Sequence, residues 1–171
     1  MIYKLIAVAT LGLAGSVVLA AAGGTPTLGE RARTVLGYQL TSTAPATRPH
    51  TGPLPALPRV SYEPVRPWAQ VQQAYEFAAR HPEVLQYVPC YCGCERIGHT
   101  ANHSCFVKSR AADGRVTEWD SHGIGCAVCL QVGLDAMALS KQGMKPAAIR
   151  AAIDKKYASQ YPSSTPTPRP K

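Results

Sequence analysis

The chain has 171 residues and a formal charge of +8, from 18 Lys and Arg against 10 Asp and Glu. Within residues 67–160, however, ten basic residues meet eight acidic ones. The surplus lies at the ends, at Arg31, Arg33, Arg48, Arg59, Arg66, Arg169 and Lys171. With no clustered basic face carrying interleaved aromatic residues, the composition argues against nucleic-acid binding. It leaves weak attraction of the basic linker to an anionic membrane or cell-wall surface as the partner expected from charge.

The N-terminus, MIYKLIAVATLGLAGSVVLAAAGG, places Lys4 before an apolar run from Leu5 to Ala22 that ends in Ala20-Ala21-Ala22-Gly23. This has the shape of a secretory signal peptide with a small-residue cleavage site. The same run is near the lower length limit of a membrane span, so residues 1–22 are expected to be a signal peptide or an N-terminal membrane anchor. Either puts the rest of the protein outside the cytoplasm. The first cysteine is Cys90, so no lipid-acceptor cysteine follows the apolar run.

Residues 23–66 are rich in Pro, Thr, Ala and Gly and show no helical or strand period. They read as an extended linker, and residues 162–171 (PSSTPTPRPK) read as a disordered tail. One domain remains, residues 67–161. It is small enough to need staples beyond its hydrophobic core, and all six cysteines lie in it.

In chain order, Pro67 suits a helix start. Trp68, Val71, Tyr75 and Ala78 repeat at helical spacing, with Trp68 and Phe77 expected in the core. Pro82 ends that helix and opens a short one over EVLQYV, and Pro89 stops it at the loop PCYCGC, residues 89–94. The segment 95–104 reads as a loop. FVKSR and RVTEW flank AADG, which predicts a β-hairpin over roughly residues 105–119. The next stretch is apolar on nearly every face and predicts a central buried helix, with Gly143 beyond its C-terminus. Pro146 opens a last amphipathic helix with Ile149 and Ile153 inward. The fold expected is mainly α: a small Cys-rich helical domain with one short β-hairpin.

Cys90, Cys92 and Cys94 alternate along PCYCGC. Bridges among themselves would close very small rings with strained geometry, so their partners are sought elsewhere. Cys105 and the pair Cys126 and Cys129 supply them. His122, Cys126 and Cys129 share one face if a helix begins early, about 60° wide at 100° per residue. If Gly123 and Gly125 keep HGIG in a loop, Cys126 sits at a helix N-terminus instead, where the helix dipole favours thiolate.

Three chemistries are open. Thiolates spaced Cys-X-Cys can bridge soft ions such as Cu(I) or Zn, with His99 and His122 completing the shells. An exported domain can instead use its cysteines as disulfide staples. Cys126-Ala-Val-Cys129 also has the spacing of a redox dithiol, although no βαβ pattern surrounds it. Attachment of a c-type haem needs a histidine where Leu130 stands. Glu95 and Asp120 are near the cysteines, but nothing marks either as a base, so no hydrolytic activity is read. His50 and His81 are expected to be solvated, and His103 to be a loop residue rather than a ligand.

Pro89–Cys94, Gly98-His99, Cys105-Phe106-Val107, His122-Gly123 and Cys126-Ala127-Val128-Cys129 together resemble, in order, the pattern of the PCYCGC-motif family of bacterial exported proteins, many of them lipoproteins. Leu134–Met137 and Ile153–Tyr157 fit it too. The resemblance implies export and one small Cys-rich domain, and little about activity. The reading taken forward is a soft-metal module outside the cytoplasm, binding Cu(I) or Zn through Cys90, Cys92, Cys94, Cys105, Cys126, Cys129, His99 and His122.

Overall fold

The structure, a computed structural model, describes residues 48–171. The apolar N-terminal run and the first half of the Pro-rich segment lie outside the described residues. Five α-helices, two 3-10 turns and one two-stranded antiparallel hairpin make up the described part, so the fold is mainly α as expected. No helix among the described residues is long and apolar enough to cross a membrane.

Helix α1 (Trp68–Arg80) follows Pro67, whose extended backbone stands at the N-cap position. It buries Val71, Ala74, Tyr75, Phe77, Ala78 and Ala79. Trp68, expected in the core, is 44 % exposed, because the buried stripe begins only at Val71. The one-turn α2 (Pro82–Leu85) buries Val84 and Leu85 and leads into the PCYCGC loop. The 3-10 turns Cys94–Ile97 and Asn102–Cys105 carry two of the six cysteines.

Strands β1 (Val107–Arg110) and β2 (Val116–Trp119) pair Val107 with Trp119 and Arg110 with Val116. The hairpin therefore starts two residues later than its sequence suggests, since Cys105 and Phe106 end the second 3-10 turn. Asp113 Oδ1 accepts the Arg115 N–H within the connecting turn.

HGIG forms its own one-turn helix, α3 (His122–Gly125), and α4 (Ala127–Lys141) then starts afresh with Cys126 at its N-cap. Of the two readings left open, the N-cap position of Cys126 is the one realised. Helix α4 is the hub, packing on α1, α2, α3, the second 3-10 turn and α5 (Pro146–Tyr157). It ends in a Schellman arrangement: Gly143 N–H donates to Ser140 O and Met144 N–H to Leu139 O.

Phe106 locks the core around the cysteines. Its ring meets Tyr75 edge-on at 5.1 Å and lies against Gly123 and Gly133. A Cβ on Gly123 would stand 2.6 Å from that ring, so only glycine admits it. Tyr75 O–H in turn donates to Asp120 O at 2.6 Å. One aromatic side chain thus seats the Cys105 segment against both α3 and α4.

The Pro-rich segments differ from a simple spacer. His50, expected to be solvated, is 5 % exposed: its Nδ1 accepts the Val116 N–H at 2.9 Å and its Nε2 lies 3.0 Å from Pro53 O. Leu54, Leu57 and Val60 pack against the core, and Trp119 Nε1 donates to Pro55 O. At the other end Thr165 is 3 % exposed. Proline forbids helices and ladders here, yet an extended chain can still lie in a groove through its remaining donors and side chains.

Candidate metal centre

Three separate segments bring the six cysteines to one place. The PCYCGC loop leaves α2 and reverses at Gly93, whose φ of +80° is a left-handed conformation that favours glycine. That turn sets Cys90, Cys92 and Cys94 around one space rather than along an extended strand. Cys105 arrives on the second 3-10 turn, under the lock of Phe106, and Cys126 and Cys129 arrive on the first turn of α4. Cys90, Cys105 and Cys129 are fully buried and Cys94 nearly so, while Cys92 and Cys126 are half-buried.

All six cysteines are free thiols. Cys90 Sγ lies 3.0 Å from Cys129 Sγ and 3.5 Å from Cys92 Sγ; Cys92 Sγ lies 3.3 Å from Cys129 Sγ. Cys94 Sγ and Cys105 Sγ are 3.8 Å apart. These separations exceed a sulfur–sulfur bond, at about 2.05 Å. They run up to the spacing of about 3.8 Å that two thiolates take on one tetrahedral ion with bonds of about 2.3 Å, which the Cys94–Cys105 pair reaches.

Both histidines of the expected set join the pocket. His122 Nε2 is 3.4 Å from Cys92 Sγ, and His99 Nδ1 is 3.5 Å from Cys105 Sγ. Their rings meet edge-on, with centroids 5.3 Å apart. Potential ligand atoms fall into three overlapping groups, each with its atoms within 4.8 Å of one another: Cys90, Cys92, Cys94 and Cys129; Cys92, His122, Cys126 and Cys129; and Cys94, His99 and Cys105. His103, on the second 3-10 turn, lies apart from these groups. Its Nε2 faces the Arg110 guanidinium at 3.1 Å, and burial, with Arg110 beside it, pulls it down to about 3.

The thiols share their protons unevenly. Hydrogen bonds from Cys105, Cys129 and Cys92 pull Cys90 down to about 4, and bonds from Cys105, Cys129 and Cys90 pull Cys94 down to about 3. Bonds from Cys129 and Cys92 also hold Cys126 far below an ordinary thiol, while the neighbouring sulfurs, Cys105 first, and burial hold Cys129 far above one. Beside Cys126 and Cys92, His122 is raised to about 10. Cys90, Cys94 and Cys126 are thus inclined to the thiolate form that binds soft cations, while Cys105 and Cys129 are inclined to keep their protons.

Three positioning residues carry no sulfur and escaped the sequence reading in this role. Asp120 Oδ1 accepts the His122 N–H at 2.7 Å, and its Oδ2 lies 3.4 Å from His99 Nε2. A carboxylate on the far nitrogen of a ligating imidazole is the usual support of such a ligand. Asn102, fully buried, donates from Nδ2 to Cys129 O at 2.9 Å. Thr165 binds the backbone of Cys90. For Asp120 a local signal existed, since an Asp two residues before His122 can form an Asx turn. For Asn102 and Thr165 the contacts span 27 and 75 residues, beyond any local pattern.

A family profile described as "protein of unknown function with PCYCGC motif" matches residues 60–170. The match extends past the cysteines into the C-terminal segment that carries Thr165. No curated protein and no solved structure matches the chain.

Proposed function

This chain belongs to the family of PCYCGC-motif proteins of unknown function, and from that premise we propose that its cysteine pocket is a soft-metal centre taking Cu(I) or Zn(II). One observation carries the reading: six free sulfurs from three distant segments converge with two imidazoles in a largely buried pocket. Bringing that many thiols together has no packing advantage over apolar side chains of similar size. Thiolates select soft ions, and imidazole suits both Zn and Cu.

The role is metal handling or sensing outside the cytoplasm. The apolar segment 5–22 supports export or anchoring, and the basic residues of the Pro-rich linker suit an anionic membrane or wall surface. Disulfide staples find no support in a pocket whose cysteines are all free and gather two to four to a group.

The test is to purify the full chain anaerobically, quantify metals, and count alkylatable thiols before and after a chelator. The expected result is bound Cu or Zn, with the thiols unreactive until the metal is stripped. Protein that retains neither ion when supplied with it, whether its cysteines alkylate freely or are bonded in pairs, overturns the proposal.

A further inference from the structure

The three ligand groups overlap rather than compete. The first, Cys90, Cys92, Cys94 and Cys129, shares Cys92 and Cys129 with the second, which adds His122 and Cys126; it shares Cys94 with the third, which adds His99 and Cys105. We infer that the pocket binds three soft divalent ions as one thiolate-bridged cluster, with Cys92, Cys94 and Cys129 as the bridges. This rests on the soft-metal reading above and adds the number of ions and the way they are joined.

Ligand supply and charge both lead there. A tetrahedral ion uses four donors, so a single Zn(II) would engage half of the eight residues and leave the others crowded and unused. With the three bridging sulfurs each serving twice, the same residues furnish two four-donor sites and one three-donor site. The six thiolates together carry six negative charges. Among the described residues the hydrogen-bond partners of the cysteine sulfurs are other cysteines and the two histidines, never a Lys or Arg. Arg150 is spent on Asp154, and Arg110 on His103 and the carbonyls of Ala78 and Ala79. One divalent ion balances only two thiolates and leaves the remaining cysteines as neutral thiols, crowded without serving as ligands. Three divalent ions balance all six thiolates.

The third site differs from the other two. Cys94, His99 and Cys105 give it three protein donors, all buried, and Asp120 supports His99 from behind. Three donors leave a fourth position for a small exogenous ligand such as water or a thiol, the pattern of an exchangeable site rather than a closed one.

The experiment is a Zn(II) titration of the reduced full chain, solubilised in detergent under anaerobic conditions. Ions retained against a competing chelator are counted by native mass spectrometry. Three retained Zn(II) per chain are expected. His99→Ala and Cys105→Ser should each hold two, and His81→Ala, an exposed control, should hold three. A wild-type count of one or two overturns the three-ion cluster while leaving the soft-metal reading standing. A count of zero with both Zn(II) and Cu(I) overturns both. A count of three that neither His99→Ala nor Cys105→Ser lowers overturns the assignment of the third site. Because the wild-type count needs no variant, a substitution that unfolds the domain leaves the test decisive.

Discussion

Thr165 and Cys90 bond to each other twice across 75 residues of chain: Thr165 N–H donates to Cys90 O, and Cys90 N–H donates to Thr165 Oγ1, each at 2.9 Å. The C-terminal segment thereby closes over the first cysteine of the PCYCGC loop. Thr167 Oγ1 extends the contact to Thr100 O, and Arg150 Nη1 holds the carbonyls of Thr167 and Pro168.

Thr165→Ala leaves the buried Cys90 N–H without its acceptor. The expected cost is about 1–3 kcal/mol of stability, the usual penalty for an orphaned buried donor. Truncation after Tyr161 should cost at least as much and speed metal release. Denaturant unfolding and the rate of ion transfer to a chelator check both. A truncated chain as stable and as slow to release as the full one would show that the tail docking contributes nothing.

Asp120→Asn should weaken metal binding by about 10- to 100-fold, the usual range when the support of a ligating histidine is altered. The amide keeps the size of the side chain but loses the charge that holds His99 Nε2. Chelator competition measures the affinity, and circular dichroism should show an intact fold. Unchanged affinity would remove Asp120 from the site.

Gly123→Ala should destabilise the domain by about 1–3 kcal/mol or more, since the new methyl group meets the Phe106 ring and the Cys105 carbonyl. Gly133→Ala should cost less, because its nearest neighbour would be 3.0 Å away rather than 2.6 Å. Urea unfolding ranks the two, and a reversed order would contradict the lock described for Phe106.

Asp135 accepts hydrogen bonds from Lys156 and from Tyr157 O–H, and the Tyr157 ring stacks on Tyr91 of the cysteine loop at 5.6 Å. Burial pushes the Asp135 carboxyl up, but the bonds from Lys156, Tyr157 and Gln131 outweigh it and hold the group below its ordinary 3.8. A lowered folded-state value means stability that is present above pH 3.8 and lost as the pH falls through the folded value. Asp135→Asn should therefore lower stability at neutral pH by about 1–2 kcal/mol and flatten the acid limb of the stability curve below pH 4. Thermal melts of both proteins across pH 2–7 provide the check; parallel curves would show that Asp135 does not titrate into stability.

Much of the architecture was legible because it follows from local rules. Pro67, Pro82 and Pro146 mark helix starts, and Asp113-Gly114 marks the hairpin. The nearly continuous apolar character of 126–139, broken only by Gln131 and Asp135, marks a buried helix, and α4 is indeed the hub. The expected ligand residues also meet in one pocket, since eight cysteines and histidines in a thin core have few places to gather. Less legible were the features set by partners distant in sequence. Trp68 fits the helical stripe yet lies a turn before the buried contact, and His50 sits in proline-rich sequence yet finds Val116 and Pro53.

By itself the sequence determined which residue types were available: six soft donors, two imidazoles beside flexible glycines, and helix and turn boundaries set by proline and glycine. These are properties of single residues and near neighbours, dictated by backbone sterics and side-chain chemistry. Only the tertiary structure decided that the thiols stay unbonded, that Cys92, Cys94 and Cys129 each belong to two ligand groups, and that Asp120, Asn102 and Thr165 hold the pocket in place. Those relations depend on packing Phe106 against Gly123 and Gly133 and on laying the C-terminal segment over Cys90, contacts between segments whose separation along the chain leaves no periodic trace.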